Sequence, residues 1–347
     1  MRNKEKKKNR GLKVFGIIVL VLIIILVGII GFTYFFVTSK LNKIQKVDID
    51  VSQLDISKEA EQNLSGYRNI ALFAIDSRSN EDYGRGNRSD GIIIASINNS
   101  TKEVKLASVY RDTYVQIEGH GLDKITHAYS YGEAPLAIST LNTNLDLNIK
   151  EFVTVNFDAV AEAINELGGV TITVDSQEVN YINQYIKETS KVTGISTNQL
   201  SAPGTLTLDG VQAVAYARIR YTEGGDYKRA ERMRTVVEAT FDKLKTKSLT
   251  EINSFVDNIL PKIYTNISTN DMIAMIPDLT KYKVSDSIGW PYETKGITMN
   301  AWYGIPVTLE SNVTRLHQEL FGEQDYTPSE TVKNISNQIV TKTGYGD

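Results

Sequence analysis

Residues Val14 to Val37 form an unbroken run of 24 uncharged, mostly apolar residues. As a helix this run reaches about 36 Å, enough to cross a ~30 Å hydrocarbon core with some tilt. It reads as a transmembrane helix. A cleaved signal peptide is the alternative, but its apolar stretch runs to about 15 residues and ends at a small-residue cleavage site. Here Phe35-Phe36-Val37-Thr38-Ser39-Lys40 follows instead. Seven basic side chains (Arg2, Lys4, Lys6, Lys7, Lys8, Arg10, Lys13) precede the run against one acid, Glu5, and only Lys40, Lys43 and Lys46 follow it closely. The positive-inside rule therefore keeps residues 1–13 in the cytoplasm as a basic tip and places everything after the span outside the cell membrane. Tyr34, Phe35 and Phe36 suit an interfacial aromatic belt at the outer end.

Past the tip the chain carries 31 basic against 40 acidic residues, a net charge of −9. A nucleic-acid-binding domain needs a basic face, so that class is not expected. The chain has no cysteine, which excludes disulfide frameworks, thiolate metal sites and a catalytic thiol. Its chemistry must come from oxygen, nitrogen or a bound ion. With 347 residues, 41% of them hydrophobic, the chain is long and apolar enough for one to three domains and is not a disordered polymer.

Residues 38–68 are polar, mixed in charge and weakly periodic, and read as an extracytoplasmic juxtamembrane spacer with one short helix near Ser57 to Asn63. Strand-like runs follow at Asn69 to Ile75, Gly91 to Asn98, Glu103 to Tyr110, Glu151 to Phe157 and Val170 to Val174. Several are almost wholly apolar, as in strands covered on both faces. Helical patterns cover about Ala134 to Leu145, Asp158 to Leu167, Glu178 to Lys191, Leu208 to Tyr216, Asp226 to Lys245, Leu249 to Ile259 and Thr269 to Tyr282. Interleaved strands and helices predict an α/β domain over 69–326, a three-layer α/β/α sandwich around a mixed sheet. Residues 327–347 read as a loose polar tail.

Two clusters can carry chemistry. If the first three strands pair antiparallel, Asp76, Asp90, Arg111 and Asp112 all fall at one end of the sheet. Two carboxylates suit a hard cation such as Mg2+, which completes its shell with phosphate oxygens. The alternative is that both aspartates cap strand ends and pair with loop arginines. The second cluster lies between Arg218 and Arg232. Arg218 and Arg220 share a side if the chain is extended there, and Arg229 and Arg232 share a face of the following helix near its N-terminus. Four guanidiniums suit phosphate oxygens. A solvated helix face, with Asp226 as N-cap and the arginines paired to Glu223 or Glu231, is the competing account. His127 is better read as a structural hydrogen-bonder than as a base. P-loop, zincin and nucleophile-elbow motifs are absent from the sequence.

These stretches, AIDSR at 74–78, RSD at 88–90, SVYRDT at 108–113, KITHAY at 124–129, FDAVAEAINELGGV at 157–170 and LDGVQAVAYARIRYTEGGDYKRAERMR at 208–234, resemble the LytR-CpsA-Psr family of membrane-anchored cell-wall glycopolymer transferases. The resemblance implies an α/β/α sandwich enclosing an apolar tunnel for a polyprenyl chain. It implies Mg2+-dependent transfer, with Mn2+ as a substitute, of teichoic acid, capsule or a related polysaccharide from a polyprenyl-pyrophosphate carrier to peptidoglycan. By the same resemblance Asp76 and Asp90 hold the metal, with Asp90 also a base. Arg88, Arg111, Arg218 and Arg220 bind the pyrophosphate, with Asp226, Arg229 and Arg232 beside the head group and Lys124 a neighbour. The chain departs from the family at Met233, where Gln is usual. A polyprenyl-pyrophosphate phosphatase and a non-catalytic envelope regulator are the rival functions.

Overall fold

The structure is a computed structural model that describes residues 38–77, 83–278 and 280–346. The basic tip, the expected membrane span and Arg78 lie outside the described residues. Among the described residues no helix is long and apolar enough to cross a membrane.

Strands β1 (Gln45–Lys46), β2 (Tyr67–Ile75), β3 (Ser89–Asn98), β4 (Glu103–Val109), β5 (Tyr114–Ile117), β6 (Gly121–Lys124), β7 (Glu151–Asn156), β8 (Val170–Val174), β9 (Gly204–Leu208), β10 (Tyr264–Thr265), β11 (Lys283–Trp290), β12 (Thr294–Thr298) and β13 (Trp302–Pro306) alternate with helices. Seven strands form one mixed sheet in the order β1-β10-β7-β2-β3-β4-β11. The pairs β2/β3 and β3/β4 are antiparallel, and β2/β7 and β4/β11 are parallel.

Both faces of the sheet are covered, which is why its strands are apolar nearly throughout. Ala71, Phe73, Ile75, Ile92 and Ile94 pack on one side with the helices Ile125–Leu145, Leu309–Phe321 and Glu330–Thr343. Ile70, Ile93, Ala95 and Ile97 face the other side, against Val237 and Phe241 of the long helix Gly225–Lys245. A second, smaller core joins the antiparallel β8/β9 pair to the helices Ser176–Thr193 and Gly210–Ala217.

Three expectations are corrected. The segment 38–68 is not a spacer apart from the domain but is packed into it. Leu54 and Leu64 are buried in the main core, β1 pairs with β10, and the backbone carbonyl of Leu54 accepts a hydrogen bond from Asn142 Nδ2 at 2.8 Å. Its short helix, Lys58–Asn63 behind the cap Ser57, stands where expected. The tail is not loose either. Glu330–Thr343 is a helix capped by Ser329, and it sets Val332, Ile335 and Ile339 into the main core. Its polar composition hides a stripe of three apolar residues at helical spacing. Finally, the helix from Thr269 ends at Met275 rather than near Tyr282. Pro277 follows in a 3-10 turn, where its missing N–H and fixed ring cannot continue an α-helix. The chain then turns into β11, a strand the sequence pattern did not announce.

Candidate functional site

Antiparallel pairing of β2, β3 and β4 determines what meets at their common edge. Ile75 pairs with Ser89 across a bulge, and Ile93 pairs with Ser108. Asp76, Asp90 and Arg111 therefore share one end of the sheet, as the hairpin geometry predicts. Arg111 donates through Nη1 to Asp90 Oδ1, and both side chains are largely buried. Asp76 is exposed at the end of β2.

The second cluster reaches the same edge from the helix Gly225–Lys245. Gly224 and Gly225 take φ of +86° and +50°, a left-handed turn in which a side chain would be strained. The turn sets Asp226 in the first helical turn, with Gly224 rather than Asp226 as N-cap. Arg220 Nη2 lies 3.7 Å from Asp90 Oδ2, and Arg220 Nε lies 3.7 Å from Asp226 Oδ1. Arg229 Nη2 is 3.3 Å from Asp226 Oδ1 and donates to the Asp90 carbonyl at 3.4 Å. Arg229 is 3% exposed. Burial lowers its guanidinium pKa to about 10 against the opposing pull of Asp226, with Arg220 adding repulsion.

These contacts leave bonding capacity unused. Arg111 Nε, Arg229 Nε and Asp226 Oδ1 are buried without a hydrogen-bond partner. Buried polar atoms are nearly always satisfied; Asp226 Oδ1 still has Arg229 and Arg220 as ion-pair partners, so it is the two unpartnered guanidinium nitrogens beside the aspartates that mark a place prepared for a ligand. Two of the three are cationic donors, which suits an anion with several oxygens.

The other candidates go elsewhere. Arg218 is a helix C-cap in a turn, not part of an extended pair with Arg220. Ile219, fully buried between them, turns the two side chains apart. Arg218 donates to Glu188 Oε1 at 2.9 Å and Thr189 Oγ1 at 3.2 Å, with its guanidinium over the Phe157 ring. Arg232, 2% exposed, donates to Glu178 Oε1 at 2.9 Å and Thr222 Oγ1 at 3.0 Å, so it braces the turn instead of facing the orphans. Neither Arg229 nor Arg232 pairs with Glu223 or Glu231 as the solvated-face account requires; their ion-pair partners are Asp226 and Glu178. Lys124 pairs with Asp112 Oδ1 at 2.7 Å and Arg88 is exposed. His127 bonds Asp123 Oδ2 at 2.9 Å, the structural role expected for it.

Behind the arginines lies an apolar cavity of about 170 Å3. Leu72, Ala74, Gly91 and Ile93 of the sheet form one wall, and Met233, Val236 and Val237 form another. A Cβ at Gly91 would stand 2.9 Å from Met233 Sδ, so the absent side chain leaves room for this lining. Met233 is thus part of the cavity wall. The strand pattern alone could not distinguish a cavity from a filled core.

Asp76 and Asp90 are hard oxygen ligands at one end of the sheet, of the kind a cation sharing phosphate oxygens would use, although both Asp90 oxygens face guanidinium groups, those of Arg111 and Arg220. They do not fit an all-protein metal cage, since the described residues contain no group of three or more His, Cys, Asp or Glu that could hold an ion.

Over most of its length the chain is similar to proteins of known activity. The polyisoprenyl-teichoic acid–peptidoglycan teichoic acid transferase TagT of Bacillus subtilis strain 168 is 32% identical over 306 residues, covering 85% of this chain and 92% of TagT. The corresponding TagU of Enterococcus faecalis strain V583 is 30% identical over 324 residues, 90% of this chain and 97% of TagU. The solved structure of TagT bound to LI-WTA superimposes with a TM-score of 0.55 at 25% identity, covering 86% of this chain and 94% of that one. The family model described as LytR_cpsA_psr family matches residues 32–315, and with that extent of agreement the chain belongs to the LytR_cpsA_psr family.

Proposed function

We propose that the protein transfers a teichoic acid or related glycopolymer from a polyprenyl-pyrophosphate carrier to peptidoglycan, through a phosphodiester bond. The observation that carries this is the succession along one helix of an arginine with an orphaned donor, Arg229, and one turn later a wall of the apolar cavity, Met233. At ~1.5 Å per residue the two are about 6 Å apart along the axis. That is the spacing of a charged head group and the first units of an apolar tail.

Arg111, Arg220 and Arg229 bind and neutralise the phosphates, and the cavity holds the lipid end. Arg218, paired with Glu188 and lying over the Phe157 ring, stands outside this group. An acceptor hydroxyl attacks the phosphorus nearer the polymer, its proton passes to Asp90, and the bond to the bridging oxygen breaks to release lipid phosphate. Transfer of this kind depends on positioning and charge stabilisation, so a protein nucleophile is not needed. Mg2+ is the proposed cofactor on Asp76 and Asp90, and when bound it supplies further neutralisation of phosphate charge. The apolar run Val14–Val37 anchors the chain, with the N-terminus cytoplasmic and the catalytic domain outside.

The test incubates the chain with a labelled lipid-pyrophosphate-linked saccharide, with and without peptidoglycan and Mg2+. Label attached to peptidoglycan, dependent on Mg2+ and lost in Asp90→Ala, is the expected result. Release without attachment would replace the transferase by a phosphatase. Binding without either would leave a regulator.

A further inference from the structure

On the other side of the arginines from the cavity lies a cleft of about 280 Å3 whose lining has a different chemistry. It is walled by Tyr110, Tyr227 and Trp302, floored by Gly224, Gly225 and Gly304, and edged by Asp112 and Asp226. Among the described residues no Arg or Lys lines it. Trp302 is 44% exposed and Tyr227 38% exposed, so two large aromatic side chains stand partly open to solvent beside a charged centre.

These rings are held in place. Tyr110 and Tyr227 meet edge to face with centroids 4.5 Å apart, and Tyr227 is hydrogen-bonded to Thr294 across the cleft. The β12/β13 hairpin pairs Gly296 with Gly304. A Cβ at Gly296 would stand 2.9 Å from Trp302 Nε1, and one at Gly304 would stand 3.6 Å from the far side of the indole. The ring therefore spans two paired glycines, which support it from below and leave it open on the cleft side. Gly304 N donates to Asp112 O at 2.9 Å and so fastens the hairpin to the end of β4.

Order along the helix Gly225–Lys245 sets the geometry: Asp226 and Tyr227 line the cleft, Arg229 the phosphate centre, and Met233, Val236 and Val237 the cavity. A lipid in the cavity leaves toward that side, and phosphoryl transfer brings the attacking oxygen in line from the opposite one. The opposite side is the cleft. Rigid aromatic faces with carboxylate and hydroxyl acceptors at their edges suit a pyranose, whose ring faces are C–H and whose rim is hydroxyl. With no Arg or Lys among the described residues of its lining, the cleft does not suit a second phosphate.

We propose that this cleft is the acceptor subsite and binds a neutral hexopyranoside unit of the peptidoglycan glycan strand. The assignment rests on the transferase reading above. A second hollow of about 450 Å3 shares Tyr110, Tyr227 and Thr294 with the first and continues past Tyr292 and Lys295, giving length for more than one sugar.

The chain has two tryptophans, and Trp290 is fully buried, so a ligand-induced emission change reports Trp302. Titrating the wild-type chain with muramidase-released peptidoglycan fragments should shift that emission saturably. By calorimetry, Trp302→Ala should weaken fragment binding about tenfold and Trp302→Phe should recover most of it, while binding of a short polyprenyl pyrophosphate is unchanged in both. Absence of any Trp302 response, or a loss of polyprenyl-linked saccharide binding with fragment binding intact, would overturn the assignment; the latter would give the cleft to the donor polymer. Fragment binding at Trp302 in a chain that transfers nothing would support the glycan site while removing the transferase reading.

Discussion

Arg229 and Arg232 sit three residues apart on one helix and are almost equally buried, at 3% and 2% exposure, yet they have opposite fates. Arg232 is satisfied by Glu178, Thr222 and the carbonyl of Ile219. Arg229 has one long hydrogen bond to a carbonyl, an ion pair at 3.3 Å and an orphaned Nε. A buried arginine whose donors are all used holds a fold together. One left with spare donors beside carboxylates and an apolar cavity is prepared for an anion. Burial alone does not separate the two; the inventory of partners does.

The largest expected effect falls on the structural member. Arg232→Met leaves Glu178 buried without its cation and should cost about 3–5 kcal/mol of stability, measured by urea unfolding. Adding Glu178→Met should recover most of that loss, because an apolar pair can replace a buried ion pair. If the single variant loses transfer at unchanged stability, the contrast between the two arginines breaks down.

Arg229→Met should do the reverse. Transfer should fall roughly 100- to 1000-fold, with stability unchanged or raised, since the variant relieves the burial that lowers this guanidinium's pKa to about 10. Steady-state transfer and thermal unfolding on one preparation check both halves.

A smaller effect should follow from the same lowered pKa. Arg229 is charged below about pH 10 and loses its proton as pH rises through that value. Affinity for a polyprenyl pyrophosphate should therefore decline about tenfold on the alkaline side, a change worth ~1.4 kcal/mol. The bound anion raises this pKa, so the decline starts near pH 10 and levels off at the higher value of the complex. Arg229→Met should flatten this limb, and a limb that persists unchanged would assign it to another group.

The smallest effect is expected at the second pair made by the helix Ser176–Thr193. Glu188, unlike Glu178, is 62% exposed on its side chain. Glu188→Gln should change stability by no more than about 0.5 kcal/mol. A larger loss by urea unfolding would make the Arg218 pair a brace of the fold, as Arg232 with Glu178 is.

Much of the site was legible in the residues. Apolar strands joined by a short turn imply that Asp90 and Arg111 return to one edge, because a hairpin leaves few other arrangements. The gathering of Arg220 and Arg229 near them followed from a resemblance to a family and from guanidinium chemistry. The assignment of four equivalent arginines was not legible, because a one-turn C-cap at Arg218 and a buried Ile219 separate side chains that an extended stretch would align. Trp302 was missed as well. The pattern around it, with Gly296 and Gly304 flanking Met299-Asn300-Ala301, could have announced a hairpin, but nothing local says that the hairpin lies against the end of β4.

The sequence by itself determined what depends on near neighbours: the nearly continuous apolar runs that let both faces of β2 and β3 be buried, the Ser57 and Asp209 caps, the Gly224-Gly225 turn and the uncharged run at 14–37. Tertiary structure alone decided which arginines keep spare donors. Arg232 meets Glu178 across 54 residues and Trp302 reaches the cleft through Asp112, about 190 residues earlier. Those partners are chosen by how helices and hairpins pack on the sheet, and a side chain's charge and spacing say nothing of who stands opposite it.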